Sequence, residues 1–381
     1  MSPASSFHRL NGYFDCGATS FPKPREVARE MSRYLDKVGG PYGRSFYHRA
    51  IEVSGLVEET RSLLAALLKA RRPENLIFTH NATHAVNIVL KGLALTGREI
   101  WISPLEHNAV ARPLRRLKQE GRIRVRFLPA AADGRVIPER LAGCFSRRTG
   151  LIVVNHQSNV NGVIQPIDEI KKQAGDIPVL VDAAQSLGHQ SIDVEGSGID
   201  FVAFTGHKGL LGPTGTGGLY LADHLLKPLI EGGTGSRSES SAMPDFLPDR
   251  FEAGTPNIAG IFGLRAALLH RPAAAHSRDD FLNLMQALRR LPGIQVLAAA
   301  SAEHQGELFS ITSTAMESST LGMRLYEKGI ETRLGLHCAP LAHRHLGTFP
   351  RGTVRISPSI YHRPRDFDIL LAALTAISTR G

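Results

Sequence analysis

Three short runs constrain the fold of this chain more than any other feature. Leu151-Ile152-Val153-Val154, Val179-Leu180-Val181 and Phe201-Val202-Ala203-Phe204 are unbroken apolar stretches, each too short for a buried helix. Side chains alternate across a strand, so an unbroken run is buried on both faces, as in a parallel sheet sandwiched by helices. Around these runs, β-rich segments alternate with helical periods. The pattern predicts strands at 76–79, 99–102, 124–128 and 218–221, and helices at 82–93, 108–120 and 167–173. Such β-α-β alternation predicts an α/β domain with a mostly parallel central sheet.

Beyond this core the signals change. Residues 23–38 read as a helix closed by Gly39-Gly40, since a glycine readily takes the left-handed turn that ends a helix. Residues 232–249 are rich in Gly, Ser and Pro and read as a long loop. Helical periods follow at 261–270, 280–291 and 366–377, and predict a second, smaller domain. No internal repeat or low-complexity tract is visible.

With 381 residues, 42% of them hydrophobic, the chain can bury a large core. No stretch reaches the ~18 unbroken apolar residues of a membrane helix. The first 20 residues carry no apolar segment after a basic start, so no secretory signal is expected and the cytoplasm is the default location. Cys16, Cys144 and Cys338 are far apart, which excludes a CxxC metal or redox pair. A sparse, odd count suits a reducing compartment, where a lone thiol can serve as a nucleophile. The net charge of +10 favours anionic ligands. The basic residues are scattered, with no aromatics between them, so nucleic acid is not an expected partner.

Two positions 26 residues apart carry the chemistry: Asp182, ending the run Val179-Leu180-Val181, and Lys208, in Thr205-Gly206-His207-Lys208 after the run 201–204. Ligands of open α/β sheets sit at the carboxyl ends of strands, so both residues are expected to face one pocket. A plain ion pair is the bland alternative. A lysine at a pocket can form a Schiff base with a carbonyl cofactor, and pyridoxal phosphate (PLP) needs an acid opposite its ring nitrogen. Asp182 would supply it. The strand 76–79 runs into His80-Asn81-Ala82-Thr83 and a helix. That helix start can bind a phosphate, with Thr83 as donor, or be an ordinary capped terminus. The chain contains neither GxxxxGK[ST] nor GxGxxG, which argues against a nucleotide enzyme.

The set Glu106-His107, Ser158-Asn159-Val160, Asp182-x-x-Gln185, Thr205-Gly206-His207-Lys208 and Phe251-Glu252-Ala253-Gly254-Thr255-Pro256-Asn257 resembles the class V aminotransferase family. Within it the chain is most similar to group II cysteine desulfurases and selenocysteine lyases. The resemblance runs from about Tyr13-Phe14-Asp15 to the C-terminus. It implies an α/β, PLP-dependent transferase fold of type I, with a large domain around a mostly parallel sheet and a smaller α+β C-terminal domain. The expected divisions are an N-terminal segment, 1–22, joining the small domain, a large cofactor domain, 23–258, and a small domain, 259–381.

Carried over by position, the resemblance implies that Lys208 bonds the cofactor and Asp182 pairs with its ring nitrogen. His107 stacks on the ring and relays protons, while Gln185 and Asn159 contact the ring-oxygen side. Thr83, Thr205 and His207 hold the phosphate, joined by Thr255 from the second subunit of a homodimer. Arg355, in Thr353-Val354-Arg355-Ile356-Ser357, grips the substrate carboxylate together with Asn159, a task suited to a two-pronged donor; a structural salt bridge is its bland alternative. Cys338, in Arg333-Leu334-Gly335-Leu336-His337-Cys338-Ala339-Pro340, is the sulfur acceptor. Only a thiolate attacks sulfur, so an exposed loop is expected, with Arg333 and His337 lowering the Cys338 pKa. The alternatives are a buried apolar cysteine or a zinc site with His337, His343 and His345; metal is not expected.

Three departures stand out. Leu336 replaces a histidine usual in the group II loop, His84 stands where the family often has an acid, and 270–280 is short for the usual inter-domain helix. Cys16 and Cys144 read as packing residues. The expected activity is conversion of L-cysteine to L-alanine with a persulfide on Cys338, passed to an acceptor protein or thiol. Selenocysteine lyase, cysteine sulfinate desulfinase and class V aminotransferase are the alternatives within the family; a non-catalytic scaffold is the alternative outside it. The physiological acceptor and any activator protein are not legible in the sequence.

Overall fold

The computed structural model describes residues 12–43, 45–222 and 226–379. Residues 1–11 of the expected N-terminal segment, and residues 44, 223–225 and 380–381, lie outside these.

The large sheet has seven strands: β1 (Leu76–Thr79), β2 (Arg98–Ile102), β3 (Ile123–Phe127), β4 (Thr149–Asn155), β5 (Val179–Asp182), β6 (Phe201–Thr205) and β7 (Gly217–Leu221). Their order is β1-β7-β6-β5-β4-β2-β3. Strands β2 to β6 pair in parallel, while β7 runs antiparallel between β6 and β1. Each apolar run serves two cores, as its unbroken character requires. Leu151, Val153, Leu180, Phe201 and Ala203 face one layer. Ile152, Val154, Val181, Val202 and Phe204 face the other.

Seven helices accompany this sheet: α1 (Arg25–Arg33), α2 (His48–Leu67), α3 (Ala82–Gly92), α4 (Asn108–Gln119), α5 (Ile167–Ala174), the one-turn α6 (Val194–Ser197) and α7 (Ile258–Leu269). The helix expected at 23–38 is α1 continued by a π turn, and it ends at Gly39 with φ +54°. The sequence reading places nothing between Gly40 and Leu76, where α2 lies. Its buried stripe contains Arg61. That charge is tolerated because Glu252, 191 residues away, meets it at 2.7 Å, a pairing no local pattern reveals.

The second sheet has four antiparallel strands, β8 (Ile294–Leu297), β9 (Phe309–Ser313), β10 (Arg333–Gly335) and β11 (Thr353–Ile356), in the order β10-β11-β9-β8. It carries α8 (Arg278–Arg289), α9 (Ser318–Glu327) and α11 (Pro364–Ser378), while the short α10 (Pro340–His345) packs beside Leu105, Val160 and Val163. The connection from α7 to α8 is the short segment 270–277. Phe14 joins this core beside Phe281, Phe309 and Phe367, and the strand-like bridges Tyr13–Glu331 and Asp15–Ser357 fix the N-terminal segment to it. No helix among the described residues is long and apolar enough to cross a membrane.

Candidate active site

The carboxyl ends of β1, β2, β4, β5 and β6 open on one pocket. Its walls include Thr83, His107, Asn159, Asp182, Gln185, Thr205, His207 and Lys208. Asp182 ends β5 between Asn155 of β4 and Ala203 of β6. It is buried, and burial raises its pKa, opposed by the Ala184 amide at 3.0 Å and by the charge on Lys208. Lys208 follows β6 by three residues. Desolvation and then the charge of Arg355 push its pKa down to about 8, against the pull of Asp182, Cys338 and Asp15. Each charge at the strand ends therefore sets the proton affinity of the other.

One end of the pocket is suited to an anion. Asn81 caps α3 by accepting the His84 amide at 3.0 Å, which occupies one of the free amides of that terminus. Thr83, in the first turn, is exposed and lines the pocket. Thr205 is buried. The buried Nδ1 of His207 has no hydrogen-bond partner, and burial and then Lys208 push that ring down to about 4. Hydroxyls, an uncommitted imidazole nitrogen and a helix N-terminus at this end, a lysine amine and a buried carboxylate form a donor set that fits PLP. Thr255 is elsewhere: it is exposed, on a loop lining a separate cavity with Phe78, His80 and Gly215.

His107 is the N-cap of α4. Its Nδ1 accepts the Ala109 amide at 3.0 Å, which leaves Nε2 as the free nitrogen. Burial, then Lys208, Arg112 and Arg355, push its pKa down to about 4, so the ring is neutral. Beside it lies Glu106, which the sequence reading quoted without a role. Glu106 is fully buried, and Oε1 accepts from Ser103 Oγ at 2.6 Å and from the Asn155 amide at 2.8 Å. Desolvation pushes its pKa up to about 8. It braces the His107 turn against β4.

Cys338 is exposed, not the buried apolar residue that was the alternative. Its loop is tied at both sides: the Cys338 carbonyl accepts the Asn108 amide at 2.7 Å, and the His337 carbonyl accepts Asn159 Nδ2 at 2.7 Å. His337 and Cys338 both have positive φ, +48° and +57°, a backbone state disfavoured outside glycine. His337 is buried, with Nε2 against Thr353 Oγ1 at 2.8 Å. Burial and then Arg355 push it down to about 2. A neutral His337 lends no positive charge to Cys338, which corrects the sequence expectation. His343 and His345 are likewise engaged, with Thr348 Oγ1 and the Ala131 carbonyl, and no group of three or more His, Cys, Asp or Glu among the described residues could hold a metal ion.

Arg355 is buried in β11. It donates to the Asn159 carbonyl at 3.2 Å and to Asp15 Oδ1 at 2.8 Å, while its Nε is buried and unpartnered. Gln185 donates Nε2 to the Gly17 carbonyl at 2.8 Å. Arg355 does not line the Lys208 pocket but borders it through Asn159; Asp15 and Gly17 thus organise Arg355 and the pocket residue Gln185, and the sequence reading gave neither a role. The signal was present in the motif around Tyr13-Phe14-Asp15, but nothing local says that it lies beside residue 355. Cys16, read as packing, borders a small cavity that also touches Lys208 and Gln185.

The family model for aminotransferase class V matches residues 12–370. The chain belongs to the class V aminotransferase family. Among its relatives, a probable cysteine desulfurase of Methanothermobacter thermautotrophicus is 34% identical over 97% of this chain and 95% of the relative. A cysteine desulfurase of Dickeya dadantii is 32% identical over 96% and 91%. Among solved structures, the apo cysteine desulfurase of Thermococcus onnurineus superposes on this class V chain with a TM-score of 0.88 at 28% identity, covering 97% of this chain and 95% of that one. A cysteine desulfurase of Escherichia coli gives 0.86 at 30% identity, covering 96% and 94%. These neighbours share the two-sheet architecture of this class V protein and support the expected fold class.

Proposed function

We propose that this chain is a PLP-dependent cysteine desulfurase, converting L-cysteine to L-alanine and leaving sulfur as a persulfide on Cys338 for an acceptor protein or thiol. The observation that carries the reading is that Asn159 bridges Arg355 and the Cys338 loop in the wall of the Lys208 pocket. The relatives named above support the choice of substrate.

Bound in this pocket, PLP would supply an electron sink for the substrate α-carbon. Asp182 would hold the ring nitrogen and Lys208 the aldehyde; Thr83, Thr205 and His207 would hold the phosphate; His107 would lie on the ring, with Gln185 and Asn159 at the ring-oxygen side. Arg355, held by Asp15 and the Asn159 carbonyl, would orient the substrate carboxylate. Lys208, close to half neutral near pH 8, takes the α-proton and returns it nearby. Cys338, as thiolate, attacks the substrate sulfur: an S–S bond forms as the substrate C–S bond breaks, the electron pair of the broken bond stays on the substrate β-carbon, and that carbon takes a proton before alanine leaves. Thr255 lines a cavity other than its own Lys208 pocket, and the family resemblance would give it to the phosphate of a second copy of the chain; we read the active unit as a cytoplasmic homodimer.

Borohydride reduction of the cofactor-loaded protein is expected to label Lys208. With dithiothreitol and cysteine, alanine and sulfide are expected in equal amounts. Cys338→Ala should abolish cysteine turnover and spare selenocysteine turnover; undiminished activity on cysteine would overturn the persulfide step. Mixing inactive Lys208→Ala and Thr255→Ala proteins should restore activity through hybrid dimers that contain one intact site.

A further inference from the structure

Cys338 lies in a loop next to a basic surface with an apolar floor. Its carbonyl holds the first residue of α4, Asn108, and α10 begins two residues after it. A groove of about 500 Å³ lies between these helices and β3. Arg112, Arg115 and Lys118 rim it from α4 and Arg344 from α10, all of them exposed. None of the described residues lining it is acidic. Its floor includes Phe127, 53% exposed at the end of β3, an edge strand of the large sheet. Cys338 itself lines a neighbouring cavity with His107, and Asn108 and Arg112 border both, so the groove adjoins the cavity of the thiol; at ~1.5 Å rise per residue, Arg115 stands about 10 Å along α4 from Asn108.

We propose that this groove docks an acidic protein segment that carries the acceptor thiol. The inference rests on the sulfur-transfer reading above and adds the place and the chemistry of the acceptor. Clustered cations with no lining anion call for negative charge and would steer it toward the site. An exposed aromatic inside a ring of arginines is how protein interfaces anchor a partner. A nucleic-acid strand would instead call for successive stacking platforms, and Phe127 stands alone in the groove. In the transfer, the acceptor thiolate attacks the outer sulfur of the Cys338 persulfide. A new S–S bond forms on the acceptor, the S–S bond at Cys338 breaks, and its electron pair leaves on the Cys338 thiolate, which recovers the proton the acceptor gave up. No outside oxidant or reductant is needed.

The test uses the PLP-loaded enzyme with cysteine and two synthetic peptides. Each holds one cysteine and one leucine, flanked in one by glutamates and in the other by lysines. Persulfidated peptide is read by mass spectrometry, and alanine is followed in parallel with dithiothreitol as acceptor. The glutamate peptide is expected to be persulfidated at least about tenfold faster at low salt, the ratio falling toward one as salt screens the charges. The Arg115→Glu/Lys118→Glu enzyme should keep its dithiothreitol-supported alanine release and lose most of that preference. Equal rates for the two peptides, or a preference that survives charge reversal, would overturn the proposal. So would an RNA oligonucleotide that suppresses peptide persulfidation better than polyglutamate of equal charge, since the groove would then be a nucleic-acid site. No alanine even with dithiothreitol would instead show that the sulfur-transfer reading has failed, and the docking proposal with it.

Discussion

Asp15 sits between two arginines that face each other across β10 and β11: Oδ1 lies 2.8 Å from Arg355 Nη2 and Oδ2 lies 4.0 Å from Arg333 Nη1. Like charges directly opposite on neighbouring strands repel. Asp15, delivered by a segment more than 300 residues earlier in the chain, neutralises the pair and fixes the guanidinium assigned to the substrate. Asp15→Asn is expected to raise the KM for cysteine roughly tenfold with little change in kcat, the pattern of lost ground-state binding. A lower KM would instead mark Asp15 as a competitor of the substrate carboxylate.

Glu106 links stability to pH. Its folded pKa, pushed up to about 8, exceeds the ordinary carboxylate value of 4.5. Between those values the folded state keeps a proton that the unfolded chain releases. The stabilisation is therefore complete below about 4.5 and is lost as pH rises through about 8. Thermal melts from pH 6 to 9 should show the parent losing several degrees more than Glu106→Gln, whose amide does not titrate. Parallel curves would place the proton elsewhere.

Lys208 should combine with PLP most readily once neutral. In the apo protein, the rate of cofactor capture is expected to rise with pH and reach half its maximum near 8, in line with the lowered pKa, rather than near the ordinary lysine value of 10.5. Stopped-flow absorbance across pH 6 to 10 would show this. Asp182→Asn removes a charge that raises the Lys208 pKa, so the midpoint should move lower still.

The Arg61–Glu252 pair ties α2 to the loop that bears Thr255. Arg61 is almost wholly buried, lies 4.6 Å from the Phe78 ring centroid and meets Glu252 at 2.7 Å. Glu252 also accepts the Phe78 amide at 2.6 Å. Glu252→Ala leaves a buried charge without its main partner, a change that typically destabilises by about 3–5 kcal/mol. Urea unfolding should show that loss, with partial recovery in the double variant Arg61→Met/Glu252→Leu.

Much of this molecule was legible from local pattern. The runs at 151–154, 179–181 and 201–204 announced strands buried on both faces, and each lies in the central sheet. Pattern failed where a partner lay far away. The helix α2 was missed because Arg61 interrupts its apolar stripe, and strands β8 to β11 because they are short and partly polar. Thr83, His107, Asn159, Asp182, Gln185, Thr205, His207 and Lys208 line one pocket, whereas Cys338, Arg355 and Thr255 do not line it. The expected charge on His337 was wrong because burial depth is not written in a motif.

The sequence by itself determined which chemistry could be present: a lysine and an acid at strand ends, a thiol in a loop and an arginine in a motif. Side-chain alternation and strand-end placement are local rules, so residue order is enough to apply them. Only the tertiary structure decided the electrical state of those groups. Desolvation and through-space charge set the protonation of Lys208, Glu106 and His337, and both depend on residues the chain brings together from hundreds of positions apart, as Asp15 and Arg355 are.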